Sequence, residues 1–174
     1  MVILGAGHLA QAVAATLRLT EHRRHRFWFC ARDLAKAQAT AVAVEARLGI
    51  SSSYCQAATL AEPPSCRRGA LVINTTPLGM KTGDPAAVDL RKFGRGTAVI
   101  ECVYRMRDPN QAAEAKPTPI DDEPAWAKTQ LRLDAEALGF AHASGLGVLE
   151  HAVSGAMSFW RARASQQLST LGPL

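Results

Sequence analysis

The 174-residue chain has 48% hydrophobic and 20% charged residues, a balance typical of one globular domain and not of a disordered segment. Its net charge of +5 could indicate nucleic acid, but aromatic residues make up only 6%, so an anionic cofactor explains the charge more simply. The sequence shows no apolar run of membrane-spanning length and no signal-peptide pattern, and its four cysteines are scattered. These features predict a cytoplasmic protein without a disulfide framework, a metal site or a membrane partner.

The chain starts with a predicted strand, a glycine turn and a helix. Apolar residues 1–4 precede Gly5-Ala6-Gly7-His8-Leu9-Ala10, after which apolar residues recur at helical spacing. In such a turn the first glycine makes the bend and the second lets the backbone approach a pyrophosphate at the helix N-terminus. We therefore predict dinucleotide binding by five residues of this turn, namely Gly5, Ala6, Gly7, His8 and Leu9.

The second strand is predicted over Phe27–Cys30, and Asp33 is placed to cap a helix over Leu34–Leu48 that ends at Gly49. In a dinucleotide fold the end of this strand meets the adenosine ribose. An acidic residue there favours NAD, whereas an arginine accommodates the 2′-phosphate of NADP. Because Asp33 serves as the cap, we assign phosphate recognition to Arg32, which predicts NADP as the cofactor and NAD as the alternative.

A short third strand is predicted over Ser53–Gln56 and a fourth over the apolar residues 71–73. Asn74-Thr75-Thr76-Pro77 then ends the fourth strand, because these side chains bond to nearby backbone and proline has no N–H to donate. In an open parallel sheet, ligands bind just beyond such carboxyl ends. This segment is therefore predicted to run into a binding crevice.

The middle of the chain contains one short helical piece between Pro85 and Phe93 and a fifth strand predicted over Thr97–Tyr104. Residues 105–128 differ in character, because they contain four prolines. Proline excludes a continuous helix or a central strand, so an extended loop or arm is predicted here.

The last third of the chain returns to regular structure. The pattern predicts a helix over Thr129–Leu138, a sixth strand over Phe140–Ala143 and a last helix over Leu146–Arg163. Strands alternating with helices predict a single α/β domain over residues 1–174, with a doubly wound, Rossmann-like parallel sheet of about six strands.

Four segments together resemble the nucleotide-binding domain of the shikimate/quinate dehydrogenase family, in the family's order. They are Gly5-Ala6-Gly7, Ala31-Arg32-Asp33, Asn74-Thr75-Thr76-Pro77-Leu78-Gly79-Met80, and Gly145-Leu146-Gly147-Val148-Leu149 with His151. The resemblance spans most of the chain and implies an NADP-binding, C-terminal domain.

The resemblance also implies roles for single residues. Thr75, Thr76 and Pro77 would line the adenosine and ribose side of the cofactor. Three further residues would lie near the nicotinamide, namely Cys102, Val103 and Gly145. Tyr104 would face the substrate.

The departures from the family concern the substrate side. Nothing before the glycine turn corresponds to the family's substrate domain, with its catalytic Lys and Asp. Glu101 stands where the family usually has Asp, and Arg105-Met106 stands where it usually has Asn-Pro. Ala152 stands where the family usually has a Gln that contacts the substrate. Compared with the family's spacing, residues 105–128 are predicted to be an insertion beside the substrate position. Shikimate itself is therefore not the expected substrate.

Tyr104 and Lys81 are the candidate catalytic residues, Tyr104 as a proton donor or substrate contact and Lys81 as a nearby acid. Packing of the tyrosine and solvation of the lysine are the alternatives. His151 could be catalytic or a half-buried structural histidine. Glu101, inside an apolar strand, would have a raised pKa if buried unpaired, and it is either functional or hydrogen-bonded within the structure.

The leading hypothesis is an NADP(H)-dependent oxidoreductase domain that transfers hydride to or from a small carbonyl, imine or alcohol. Its substrate site would be completed by residues 105–128, a missing domain, a partner chain or a second copy in a homo-oligomer. The alternative is a non-catalytic nucleotide-binding module or scaffold.

Overall fold

The computed structural model describes residues 1–20, 25–51, 53–81, 83–103, 128–145, 147–148, 150–155 and 157–158. Within these ranges six strands form one parallel sheet in the order β3-β2-β1-β4-β5-β6. The strands are β1 (Val2–Leu4), β2 (Phe27–Ala31), β3 (Cys55–Thr59), β4 (Leu71–Asn74), β5 (Ala98–Glu101) and β6 (Ala141–Ala143). The helices are α1 (His8–Thr20), α2 (Leu34–Leu48) and α3 (Gln130–Ala137), with a 3₁₀ turn at Leu90–Lys92. The predicted doubly wound sheet is confirmed.

Two apolar layers cover the sheet, because alternate residues of a strand point to opposite faces. On one face Ile3 and Phe29 pack with buried alanines of α1 and α2. On the other face Val2 and Leu4 pack with residues of α3 and of the 3₁₀ turn. β1 is completely buried at the centre, so the turn that follows it is held in a fixed position.

The predicted helix α2 and its caps are confirmed. The Asp33 carboxylate accepts hydrogen bonds from the backbone N–H groups of Ala35 (2.9 Å) and Lys36 (3.4 Å). Gly49 ends the helix in the left-handed conformation (φ 60°), and its N–H donates to the carbonyl of Glu45. Both caps satisfy backbone groups that the helix itself cannot pair.

Two strands, β3 and β5, differ most from their predicted bounds. β3 begins and ends later than predicted, because its parallel register with β2 pairs Cys55 with Phe27 and Thr59 with Ala31. β5 begins one residue later, since the Thr97 hydroxyl is engaged in a turn, where it donates to Gly94 O and accepts from Ala70 N. It ends at Glu101, so Cys102 and Val103 lie beyond the ladder.

The second half of the chain contains the predicted last helix and the predicted arm. Helical backbone occurs at residues 147–148, 150–155 and 157–158, within the predicted last helix, and at residue 145, just before its predicted start. The predicted arm over residues 105–128 and the end of the predicted β5 at Tyr104 lie outside the described residues, apart from Lys128. No helix in the described part of the chain is long and apolar enough to cross a membrane.

The cap of α2 can be tested directly. Asp33→Ala removes the acceptor for two backbone N–H groups, so we expect it to lower the free energy of unfolding by about 1 kcal/mol. Asp33→Asn keeps a side-chain oxygen, so its free energy of unfolding should stay close to that of the parent protein. Urea denaturation checks both variants, and an equal loss in the two would show that the acceptor oxygen is not what stabilises the helix.

Candidate functional site

A cleft of about 690 Å³ opens at the carboxyl edge of the sheet. Three segments form its walls: the turn after β1, the end of β2 with the start of α2, and the loop after β4. The structure thus brings together most of the predicted cofactor residues, which are Gly5, Ala6, Gly7, Arg32, Thr75, Thr76 and Pro77, together with the candidate Lys81. This is the edge where ligands bind in open parallel sheets.

The glycine turn and the loop after β4 contact each other directly. The backbone N–H and the hydroxyl of Thr75 both donate to the carbonyl of Leu4, at 2.8 and 2.7 Å. A Cβ atom on Gly5 (φ +118°) would lie only 2.5 Å from the Thr75 hydroxyl oxygen. Nothing lies within 4 Å of a Cβ built on Gly7, so the second glycine leaves open space in the cleft.

The buried amide of Asn74 shapes the loop after β4. Its oxygen accepts from the backbone N–H (3.0 Å) and the hydroxyl (2.7 Å) of Thr76. Its nitrogen donates to the carbonyl of Leu78 (3.2 Å) and to the Glu101 carboxylate. All four hydrogen-bonding positions of the amide are therefore used, which fixes the turn over residues 75–78.

Glu101 lies behind this loop, with only 2% of its surface exposed. One carboxylate oxygen accepts from Asn74 and the other from the hydroxyl of Thr129, the N-cap of α3. Burial raises the pKa of Glu101, and the two hydrogen bonds and the charge of Arg132 act against that rise. Of the two alternatives for this residue, the structure shows the hydrogen-bonded one.

Charged residues line the cleft just before α2 and in its first turn. Arg32 and Lys36 are exposed there, beside the capping Asp33. Sequence reasoning missed Lys36, although its position three residues after a helix cap places it in the first turn, facing the same crevice as Arg32. Asp84, also missed, closes the loop after β4, because it accepts from the N–H groups of Gly79 (3.1 Å) and Lys81 (3.0 Å).

Several predicted residues lie outside the lining of the cleft. His8 and Leu9 are exposed in the first turn of α1. Cys102 and the buried Val103 follow β5. The N–H of Cys102 donates to the backbone carbonyl of Asn74 at 2.9 Å. Gly145 is buried where the last helix begins.

Two further candidates, Tyr104 and His151, are not among the residues that line the cleft in the described part of the chain. Tyr104 lies outside the described residues, so the structure does not place it. His151 is exposed, and its Nδ1 lies 2.8 Å from the carbonyl of Gly147 one helical turn earlier, which is a local contact within the helix.

The strand order, the glycine turn and the cleft between them define a Rossmann-like nucleotide-binding fold. No protein-family model matches the chain. It is 30% identical over 159 residues to the shikimate dehydrogenase (NADP(+)) of Methylobacterium radiotolerans, covering 91% of this chain and 46% of that enzyme. It is 34% identical over 151 residues to the enzyme of the same name from Rhodospirillum rubrum, covering 86% of this chain and 44% of that enzyme.

A solved structure of a shikimate dehydrogenase in complex with NADP+ superimposes with a TM-score of 0.62 at 22% identity, over 85% of this chain and 44% of that one. The resemblance predicted from sequence is therefore confirmed: the chain is homologous to the C-terminal, NADP-binding part of shikimate dehydrogenases. It spans less than half of the length of these relatives.

The two glycines of the turn provide a matched pair of substitutions. Gly5→Ala introduces a side chain at positive φ and against Thr75, so we expect the free energy of unfolding to fall by more than about 1 kcal/mol. The Cβ that Gly7→Ala adds has no atom within 4 Å, so this variant should leave the free energy of unfolding nearly unchanged. Urea denaturation of both variants checks this, and equal effects would contradict the close approach at Gly5.

The raised pKa of Glu101 predicts a pH-dependent difference between the parent protein and Glu101→Gln. Because the folded-state pKa lies above the unfolded value of about 4.5, the folded state binds the proton more tightly. The stability of the parent relative to the variant should therefore be greatest below that unfolded value and be lost as pH rises through the folded pKa. Unfolding free energies measured across this range test the sign, and a difference that grows with pH would contradict it.

Proposed function

We propose that this chain binds NADP(H) in the cleft and forms the cofactor half of an oxidoreductase. The enzyme would transfer hydride between the nicotinamide and a small carbonyl, imine or alcohol. One observation carries the proposal: the glycine turn after β1, the Thr75–Thr76 wall after β4 and two cations, one after β2 and one in the first turn of α2, line one cleft. The relatives named as NADP(+)-dependent dehydrogenases support the same assignment.

The glycine turn suits the pyrophosphate of the cofactor. The open space at Gly7 lets a phosphate approach the backbone closely, where a side chain would stand in the way. The first N–H groups of a helix lack partners within the helix, and its dipole is positive at this end. The start of α1 therefore offers an anion site next to that space.

The end of β2 favours NADP over NAD. Asp33, the residue that would accept from the ribose hydroxyl of NAD, uses its Oδ1 to cap α2. Arg32 and Lys36 flank it and line the cleft. A guanidinium binds a phosphate through paired, charge-assisted hydrogen bonds, and the lysine adds a second positive charge. We propose that these two residues bind the 2′-phosphate.

For the nicotinamide and substrate sides of the site, we propose residue roles from the family's sequence pattern. Cys102, Val103 and Gly145 would lie near the nicotinamide, and Tyr104 and Lys81 are the candidates for substrate contact or proton transfer. Because the chain spans less than half of its relatives' length, we propose that another domain, a partner chain or a second copy completes the substrate wall. The four cysteines are free thiols, which fits the proposed cytoplasmic location.

The alternative of a non-catalytic nucleotide-binding module is not favoured, because the relatives reported above are dehydrogenases. The departures at Glu101, Arg105-Met106 and Ala152 lie on the substrate side of the family's pattern. We therefore propose a substrate other than shikimate, within the same chemical class of small carbonyl or alcohol.

The phosphate assignment gives a direct test. We expect Arg32→Ala and Lys36→Ala each to weaken NADPH binding about tenfold or more, the equivalent of about 1.4 kcal/mol. NADH binding should change less than about twofold, because NADH lacks the 2′-phosphate. Arg95→Ala is the matched control, since this exposed arginine precedes β5 at the opposite edge of the sheet.

Calorimetric titration with both cofactors checks these values. Equal losses for NADPH and NADH would remove Arg32 and Lys36 from the phosphate role. No binding of NADPH by the parent protein would overturn the cofactor assignment itself.

A further inference from the structure

We propose that Glu101 is a positioning residue for the cleft: through the amide of Asn74, it holds the turn over residues 75–78 in the shape that faces the cofactor. The proposal rests on the proposed function only in naming NADP(H) as the ligand of that wall. The link between Glu101, Asn74 and the turn is a property of the structure itself.

The geometry of the sheet places the two side chains together. β4 and β5 are parallel neighbours, and Asn74 and Glu101 are partners in their register. Both are the last residues of their strands, so their side chains meet at the edge where the cleft opens. Both are almost fully buried, at 0% and 2% exposure, so neither can replace its partner with water.

The carboxylate acts together with the Leu78 carbonyl to determine which way the Asn74 amide points. An ionised carboxylate only accepts hydrogen bonds, so it selects the NH₂ side of the amide. The amide oxygen is then directed at Thr76, where it accepts from both the backbone N–H and the hydroxyl. In the reversed orientation the amide oxygen would face two acceptors, the Glu101 carboxylate and the Leu78 carbonyl.

The turn depends on this orientation at two successive steps. The hydroxyl of Thr76, while bonded to Asn74, accepts from the backbone N–H of Leu78 at 3.2 Å. Thr76 and Leu78 both line the cleft, as does Pro77 between them. A change in the Asn74 amide would therefore be transmitted to the three residues that form this wall.

Glu101 is itself held from a second side. The hydroxyl of Thr129 donates to its other oxygen and also accepts from the N–H of Arg132 in the first turn of α3. An apolar residue could be buried at this end of β5 at a lower desolvation cost, so packing alone does not account for a carboxylate here. Selecting one orientation of Asn74 is a role that requires an acceptor.

Amide hydrogen exchange in the cofactor-free protein provides the first test. In Glu101→Met, which keeps the size but not the acceptor, we expect the N–H groups of Thr76 and Leu78 to exchange about tenfold faster, with Ile73 in β4 as the internal reference. In Glu101→Gln, whose carbonyl can still accept from Asn74, the rates should stay within about threefold of the parent. Thr129→Val is the matched control, because it removes the other hydrogen bond of Glu101 and should leave both rates within about twofold.

NADPH titration of the same variants provides the second test. We expect Glu101→Met to weaken NADPH binding about tenfold, with Glu101→Gln and Thr129→Val near the parent value. If Glu101→Met does not fold, Glu101→Asp takes its place, because the shorter side chain withdraws the carboxylate from Asn74 and should give the same faster exchange.

The outcomes separate the two proposals. Unchanged exchange at Thr76 and Leu78 in Glu101→Met overturns the positioning role, whatever the cofactor. Equal acceleration in Thr129→Val also overturns it, since the effect would then be a general loosening around Glu101. If exchange responds as expected but the parent protein does not bind NADPH, the positioning role stands and the cofactor assignment fails.

Discussion

The close approach of the glycine turn to the loop after β4 is the constraint on which the cleft depends. β1 lies at the centre of the sheet with β2 on one side and β4 on the other, so the ends of all three strands meet at one edge. Gly5 allows Thr75 to pack directly on the turn, with both Thr75 donors on the carbonyl of Leu4. A larger residue at position 5 would clash with Thr75, so the turn and the loop after β4 would have to move apart.

Polar groups at this edge are arranged in two layers. The outer layer, which includes Arg32 and Lys36, faces the cleft and gives it positive charge. The inner layer consists of Asn74, Glu101 and Thr129, which are buried and bonded to one another. Buried polar groups tolerate little rearrangement, because each lost hydrogen bond leaves an unpaired group in the interior. Through Asn74, the inner layer is tied to Thr76 and Leu78 in the loop after β4, which lines the cleft.

Local sequence patterns predicted most of this fold, and tertiary contacts explain what they missed. The bounds of α2 followed from Asp33 and Gly49, because both caps act within a few residues of the helix end. The bounds of β3 did not, because they depend on pairing with β2, far away in the chain. In the site, the glycine turn and Arg32 carry motif signals, whereas Lys36 enters the cleft only because α2 begins at the end of β2. The bond between Asn74 and Glu101 joins residues 27 positions apart, and no spacing rule predicts it.

The hydrogen bond between Glu101 and Thr129 has an evolutionary consequence. It joins the end of β5 to the start of α3 across 28 positions of the chain. Once two such points are tied together, doubling the length of the connection between them costs only about 0.6 kcal/mol of closure entropy. Residues can therefore be gained or lost in this connection at little cost to the sheet. The connection departs from the edge of the sheet where the cleft opens, so its length could differ between lineages while the walls of the cleft stay unaltered.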